Sequence, residues 1–305
     1  MRKKLSTLTP LQQRLCAFLV IGVLGQLTPF LSRLPIPLEV AWAIDLPTHW
    51  QLVWLTLSLV PAIVLSVQLR RVLPWVPFVI GASAAWFSSQ PETLRISQGP
   101  HETLTVVTAN LNVNNNDLRS LRSWLERVNA DVVILQEVSP APALELKRWD
   151  EFETRSIVPS EDPFGMAVLA RGRPFEINWQ TAPERPPFVQ LSFQFQGHQA
   201  SLYGIHPMPP ISPTYHDQRN ALLVQLKQIA KNAPTIVAGD FNATPWSSAM
   251  PQDTLFRALP LTPSWQYVLP IDQILGTKHW SVAQTGVGPD IGSDHRPVWA
   301  SLTLD

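Results

Sequence analysis

The sequence predicts an α/β (α+β) domain preceded by a membrane anchor of three transmembrane helices, and three observations predict it. Residues 15–31, 50–69 and 72–88 are apolar runs without a formal charge. Beyond residue 103, β-branched apolar stretches alternate with segments of helical period. Acids, amides and histidines recur where those apolar stretches end, at Asn110, Glu137, His206, Asp240, Asn242, Asp294 and His295.

The 305 residues allow one large domain or two smaller parts. Lys/Arg and Asp/Glu number 23 each, but eight of the bases and only three of the acids fall within residues 1–100. The remainder therefore carries 15 bases and 20 acids, a net of −5. That balance counts against a non-specific nucleic-acid binder, whose affinity comes mostly from neutralising phosphates. Cys16 is the only cysteine, which excludes an intramolecular disulfide and a thiolate metal cluster.

The N-terminus opens with Arg2, Lys3 and Lys4, as signal peptides do, but no small-x-small cleavage site follows the first run and two more runs do. Twenty apolar residues cross a bilayer core, and seventeen are at the lower limit. Pro61, Pro74 and Pro77 suit membrane helices better than soluble ones. Trp42, Trp50, Trp54, Trp75 and Trp86 crowd the run ends like an interfacial belt. Arg14 and the three N-terminal cations precede the first run, and Arg70-Arg71 separate the second from the third. By the positive-inside rule both regions are cytoplasmic, and three crossings then leave the rest of the chain outside the cell membrane. Residues 89–102, with Pro91, Gly99 and Pro100, read as a linker to a domain over residues 103–305. Fully extended, that linker reaches roughly 50 Å, which holds the domain near the bilayer.

Within the domain, Leu104–Asn110 reads as a strand that ends in amides, followed by Asn114, Asn115 and Asn116 as turn and cap. Leu118, Leu121, Leu125 and Val128 fall at helical spacing, and residues 131–137 form a buried strand ending in Glu137. Residues 165–170, 188–195 and 199–206 read as further strands, the last ending in His206-Pro207. Residues 213–232 are a helix candidate with Leu222, Leu223, Leu226 and Ile229 on its apolar side, and Arg219 reads as a surface charge. A strand then leads into Gly239-Asp240-Phe241-Asn242, whose carboxylate and amide leave the strand end on one side. Together they can orient a water and a phosphoryl oxygen. Asp272 is a lone acid within the apolar strand at 271–275 and needs a partner, for which His295 is the natural candidate. Asp294 offers oxygen to a hard cation, while its neighbour His295 can move a proton.

Thr108-Ala109-Asn110, Leu135-Gln136-Glu137, Ile205-His206-Pro207, Gly239-Asp240-Phe241-Asn242, Ile271-Asp272 and Ser293-Asp294-His295-Arg296-Pro297 together resemble the endonuclease/exonuclease/phosphatase superfamily, over about residues 103–305 and in its motif order. The resemblance implies a four-layer α/β/β/α sandwich of the deoxyribonuclease I-like type with its site at one end. It implies a Mg²⁺ (or Mn²⁺) site at Asn110 and Glu137 with Asp294 as a further metal-side carboxylate. It also implies catalytic roles: Asp240 and Asn242 position water and phosphoryl group, His295 is the general base oriented by Asp272, and His206 donates to a phosphoryl oxygen. Departures from the common pattern are Ala170-Arg171, where many relatives have Ser-Arg, and Gln273 after Asp272. The three spans ahead of the domain resemble a membrane-anchored branch.

Three readings follow. The first is a membrane-tethered, Mg²⁺-dependent phosphoesterase acting on a phosphate ester or pyrophosphate, with a lipid or lipid carrier as partner. The second is an extracytoplasmic, membrane-anchored nuclease of DNA or RNA, disfavoured by the acidic balance and the compact loops. The third is an inactive phosphate-recognition module, against which the full residue set argues.

Overall fold

The chain divides into a helical unit, Met1–Gln90 with Trp246–Ser248, and a second unit, Pro91–Pro245 with Ala249–Asp305. The computed structural model describes residues 8–89, 92–99, 102–182, 185–230, 233–250 and 253–304. Arg2, Lys3 and Lys4, the linker residues Pro91 and Pro100, and the expected helix end at Lys231 and Asn232 lie outside the described residues.

In the helical unit, α1 (Pro10–Leu31) starts at a capping box in which the Thr9 hydroxyl accepts from the Gln12 N–H and the Gln12 side chain from the Thr9 N–H. After it come α2 (Leu38–Thr48), α3 (Gln51–Leu69) and α4 (Trp75–Ser88). Small residues let α1 and α3 approach closely. A Cβ at Gly22 would stand 2.8 Å from the Ser58 nitrogen, and one at Gly25 would stand 2.3 Å from the Trp54 ring. Beside them Gln26 Nε2 donates to Ser58 Oγ at 2.9 Å, a polar link between the two helices. Val20, Ile21, Leu24, Val60, Ile63 and Val67 point outward.

α1, with 22 residues, and α3, with 19, are long and apolar enough to cross a bilayer. α4 is not. Its 14 residues rise only about 21 Å, short of the roughly 30 Å hydrocarbon core. The three-span expectation is therefore corrected to two helices of spanning length. The structure also folds α2 between the first two apolar runs.

The residues read as a linker include β1 (Arg95–Ile96), which pairs with the parallel strand β12 (Trp280–Val287), so only Ser89–Glu92 separate α4 from the first bridged residue, Thr93. The second unit then runs β2 (Leu104–Asn110), α5 (Arg119–Val128), β3 (Val132–Gln136), α6 (Pro140–Leu146), β4 (Thr154–Val158) and β5 (Met166–Ala170). It continues through β6 (Glu176–Ala182), β7 (Arg185–Phe195), β8 (His198–Ile205), α7 (Pro213–Ile229), β9 (Thr235–Asp240), β10 (Phe256–Arg257), β11 (Asp272–Gly276) and, beyond β12, β13 (Val298–Leu304). Among the described residues one sheet has the order β1-β12-β13-β2-β3-β5-β4 and the other β10-β11-β9-β8-β7-β6.

Alternation along the central strands builds the layers. Val106, Ile134 and Val168 of the first sheet meet Leu202, Ile236 and Ile274 of the second in one core between the sheets. The alternate residues Val107, Ala109, Val133 and Leu135 turn outward onto Leu121, Trp124 and Leu125 of α5. On the opposite side Tyr203, Ile205 and Val237 pack on Leu223 and Leu226 of α7. Both faces of β2, β3, β8 and β9 are thus buried, which explains their nearly continuous apolar sequence. This is an α/β/β/α sandwich.

Candidate active site

Two parallel pairs aim their carboxyl ends the same way. In one sheet β2 and β3 run in register, Asn110 opposite Gln136, so Glu137 emerges beside Asn110. In the other, β8 and β9 place Ile205 opposite Gly239, so His206 emerges beside Asp240. β11 runs antiparallel to β9 with Asp272 opposite Asp240, and an isolated bridge between Trp265 and His295 brings in the segment after β12.

Gly239 makes the second pair possible. A Cβ there would lie 1.9 Å from the Ile205 carbonyl oxygen, so only glycine allows this approach. Asn112, Glu137 and Asn242 have φ of 63°, 56° and 48°. Such left-handed backbone is uncommon outside glycine, and its clustering here marks a site that geometry has been bent to serve.

Hydrogen bonds join Glu137, Asn110, Asp240, Asn112 and Asp294, while Asp272 and His295 form a separate pair beside them. Asn110 Nδ2 donates to Glu137 Oε1 at 2.9 Å and to Asp240 Oδ2 at 3.1 Å, bridging the two sheets. The Val113 N–H binds Glu137 Oε2, and the Asn242 N–H binds Asp240 Oδ1 at 2.8 Å. His295 Nδ1 and Asp272 Oδ2 lie 2.8 Å apart. His295 Nε2 and His206 Nε2 stand 3.7 and 3.6 Å from Asp240 Oδ2, beyond hydrogen-bond length. Asn112 Nδ2 and Trp265 Nε1 each donate to Asp294 at 2.9 Å.

Burial alone would depress the His295 pKa, but the charges of Asp272, Asp240 and Asp294 overcome it and push it up to about 10. Burial raises Asp240, and the charge of Asp272 adds to this while both histidines oppose it. For Asp294 burial acts upward, yet the N–H groups of Asn112 and Trp265 and the His295 charge bring the net shift below the usual carboxylate range.

All eight sequence-predicted residues thus end on this face, but they do not form one donor set. Asp240, Asp272 and His295 cluster with ligand atoms within 4.8 Å of one another, a trio different from the predicted Asn110, Glu137 and Asp294. Asp272 Oδ2 and His295 Nδ1 are spent on each other and all three residues are buried, so the trio is suited to proton transfer. Glu137 and Asp294 are only half-buried. They offer hard carboxylate oxygens held by amide donors, which fits Mg²⁺ or Mn²⁺ better than a softer ion.

Sequence reasoning missed three supports. Trp265 carried no local signal, and its indole holds Asp294. Ser264 Oγ accepts the Asp272 N–H. Arg219, read as a surface charge, is fully buried and donates through Nη1 to the Asn242 carbonyl at 2.8 Å, steadying that left-handed residue.

The sequence profile of the Endonuclease/Exonuclease/phosphatase family matches residues 107–295. The chain belongs to that family. Members of the endonuclease/exonuclease/phosphatase family are hydrolases of phosphoester bonds and typically need a divalent metal. No curated protein sequence matches the chain. Among solved structures, a D. rerio TDP2 humanized by 14 mutations is similar at 19% identity, covering 66% of this chain and 99% of its own, with TM-score 0.57. D. rerio TDP2 complexed with a single-strand DNA product is 18% identical over 67% of this chain and 100% of that one, with TM-score 0.54. A family member from Bacteroides thetaiotaomicron is 16% identical over 68% and 100%, with TM-score 0.53. At these identities the likeness concerns the fold.

Proposed function

We propose that this protein is a membrane-tethered, Mg²⁺-dependent phosphoesterase that hydrolyses a phosphate ester or pyrophosphate on a lipid or lipid carrier. One observation carries the chemistry: the His295 ring is held at Nδ1 by Asp272, which leaves Nε2 as the nitrogen on the Asp240 side. That is the arrangement of a general base whose tautomer is set from behind. Asp240 and Asn242 orient the attacking water and the phosphoryl group, His206 donates to a phosphoryl oxygen, and His295 in its neutral form takes the water's proton while Asp272 supports the imidazolium; the surrounding carboxylates favour the protonated ring in the metal-free protein, and a cation held by the neighbouring residues would offset their charge. Glu137, Asn110 and Asp294 are the residues to hold Mg²⁺, which when bound neutralises phosphoryl charge. His206 Nδ1 and Asp272 Oδ1 are buried without a hydrogen-bond partner among the described residues, as polar atoms at a substrate site often are.

The tether rests on α1 and α3, which are apolar on exposed faces, and on the short stretch Ser89–Glu92 ahead of the first bridged residue. An enzyme joined so closely to membrane helices meets lipid headgroups more often than free polynucleotides. The net of −5 beyond residue 100 adds nothing to DNA affinity. The second reading is a nuclease, favoured by the DNA product held by D. rerio TDP2.

The discriminating experiment is turnover of lipid phosphates, lipid pyrophosphates and plasmid DNA by detergent-purified full-length protein with Mg²⁺ and with EDTA. The proposal expects EDTA-sensitive release of phosphate from lipids and weak nuclease activity without a steep rise at low salt. Efficient DNA cleavage with no lipid turnover in the same buffer would reverse the order of the two readings.

A further inference from the structure

Just after the catalytic strand the chain passes from one unit to the other and back. β9 ends at Asp240, residues as far as Pro245 belong to the second unit, Trp246–Ser248 belong to the helical unit, and the second unit resumes at Ala249. These three residues lie in irregular backbone. Irregular segments ordinarily run over the surface, because their polar groups need water. Here Trp246 is only 3% exposed and Ser247 is fully buried.

Groups of the helical unit supply what water would. Trp246 Nε1 donates to the Ala85 carbonyl of α4 at 2.9 Å, and Ser247 Oγ donates to Asp45 Oδ1 of α2 at 3.1 Å. Arg33 donates through Nη1 to the Pro29 carbonyl and through Nη2 to that of Ser88, at 2.6 and 2.8 Å, which ties together the last turns of α1 and α4. Its Nη2 also stands 3.5 Å from the Trp246 carbonyl oxygen. Asp45 is buried, and His49 Nε2, one turn further along α2, lies 3.4 Å from it. Burying a carboxylate is costly unless it is paired and hydrogen-bonded. A plain anchor has no use for such a group, since apolar residues alone hold a helix in lipid. Asp45 and Arg33 are explained instead by the Trp246-Ser247 pair that they hold.

Only Ala243, Thr244 and Pro245 separate Trp246 from Asn242. Pro245 fixes its own φ and biases Thr244 toward extended backbone, so the connection is stiff. At its far end Asn242 keeps a left-handed φ of 48°, with its N–H on Asp240 Oδ1 and its Nδ2 donating to the Pro207 carbonyl at 3.0 Å. A residue other than glycine persists in that conformation only where its surroundings over-determine it. A fixed point at Trp246 is one such constraint.

We infer that the helical unit is a positioning element of the catalytic centre as well as a tether: by holding Trp246 and Ser247 it fixes the course of the chain that carries Asp240 and Asn242. Trp246, Ser247 and Asp45 are positioning residues that act through Asn242. The effect on rate rests on the phosphoesterase reading, whereas the hold is measurable without turnover.

The test compares full-length protein in detergent with Mg²⁺ against Ser247→Ala, Trp246→Phe and Asp45→Leu, with Thr56→Ala, exposed on α3, as the control. Hydrogen exchange reads the hold. The Phe241 and Asn242 amides are bonded to the Ile271 carbonyl and to Asp240 Oδ1, and in the three variants they should exchange about fivefold faster or more, while β2 and β3 exchange as in wild type. Hydrolysis of para-nitrophenyl phosphate and bis(para-nitrophenyl) phosphate reads the consequence. In each variant kcat should fall about fivefold or more, with KM and the half-saturating Mg²⁺ concentration within about twofold of wild type. Asp45→Asn keeps an oxygen that accepts from Ser247 and should recover most of the rate lost in Asp45→Leu. If Asp45→Leu does not fold, Ser247→Ala and Trp246→Phe decide the matter. Faster exchange at those two amides with no turnover by wild type would keep the hold and sink the phosphoesterase reading. Unchanged exchange there, faster exchange spread over the whole second unit, or faster exchange with an unchanged kcat overturns the inference.

Discussion

At His295, burial and charge pull in opposite directions, and the neighbouring carboxylates decide the outcome. In the metal-free protein the raised pKa means that His295 favours the folded state fully below about pH 6.5, and that this contribution is lost as pH rises through about 10. Asp272→Asn removes the strongest opposing charge and leaves only a neutral amide oxygen to accept from Nδ1. It should bring the His295 pKa down, a shift to be followed by NMR titration of the ring protons, and it should lower kcat while the Mg²⁺ requirement stays nearly constant. A steep rise in that requirement would instead make Asp272 a metal ligand. Gly239 offers a second test at this scale. Gly239→Ala sets a Cβ against the Ile205 carbonyl, a backbone atom that cannot turn aside. The parallel pair must open just before His206 and Asp240, so the variant should lose about 1–3 kcal/mol of stability, read from unfolding midpoints, and most of its turnover.

Among the elements, α4 bears on the sidedness of the proposed tether. The expected extracytoplasmic placement depends on three crossings, and α4 with 14 residues is too short to supply the third. A tether of α1 and α3 alone, as we propose, would return the chain to the side of its N-terminus. Cysteines placed at Gln98 and Arg71, after Cys16→Ser, should then react alike with a membrane-impermeant reagent in intact cells. Labelling at Gln98 alone would show that α4 crosses despite its length. Apolar content made residues 72–88 legible as a helix, but the break into a turn at Val72–Pro74 leaves no mark in a hydropathy run. β2, β3, β8 and β9 were legible because burial on both faces leaves long β-branched runs. β1, β4 and β10 were not, since short edge strands carry mixed residues whose pairing is fixed only by their neighbours.

For the whole molecule, two sheets stacked face to face bring together residues far apart in sequence. Asn110 and Asp240, on different sheets, are joined by one hydrogen bond from the Asn110 amide, and Asp272 reaches His295 across the segment that holds β12. Asn110, Glu137, His206, Asp240 and Asn242 were legible as polar groups where apolar strands end, Asp272 as a lone acid within one, and Asp294 and His295 as a pair just before another. Trp265 and Arg219 were not, because one lies in an irregular loop and the other in a helix, where a cation usually faces solvent. The sequence paired Asp272 with His295 but did not reveal that Asp240 would join them while Glu137 and Asp294 stay half-buried. From that separation we propose a division of labour: one buried assembly moves the proton, and other carboxylates hold the metal. The most direct test is a Mg²⁺ titration of phosphoester hydrolysis by wild type, His295→Ala and Glu137→Ala in full-length protein. The division of labour predicts that His295→Ala loses about 10²–10⁴-fold in kcat with its half-saturating Mg²⁺ concentration unchanged, while Glu137→Ala shifts that concentration sharply upward. Near wild-type kcat in a folded His295→Ala, or a Mg²⁺ requirement that His295→Ala moves and Glu137→Ala does not, would contradict it.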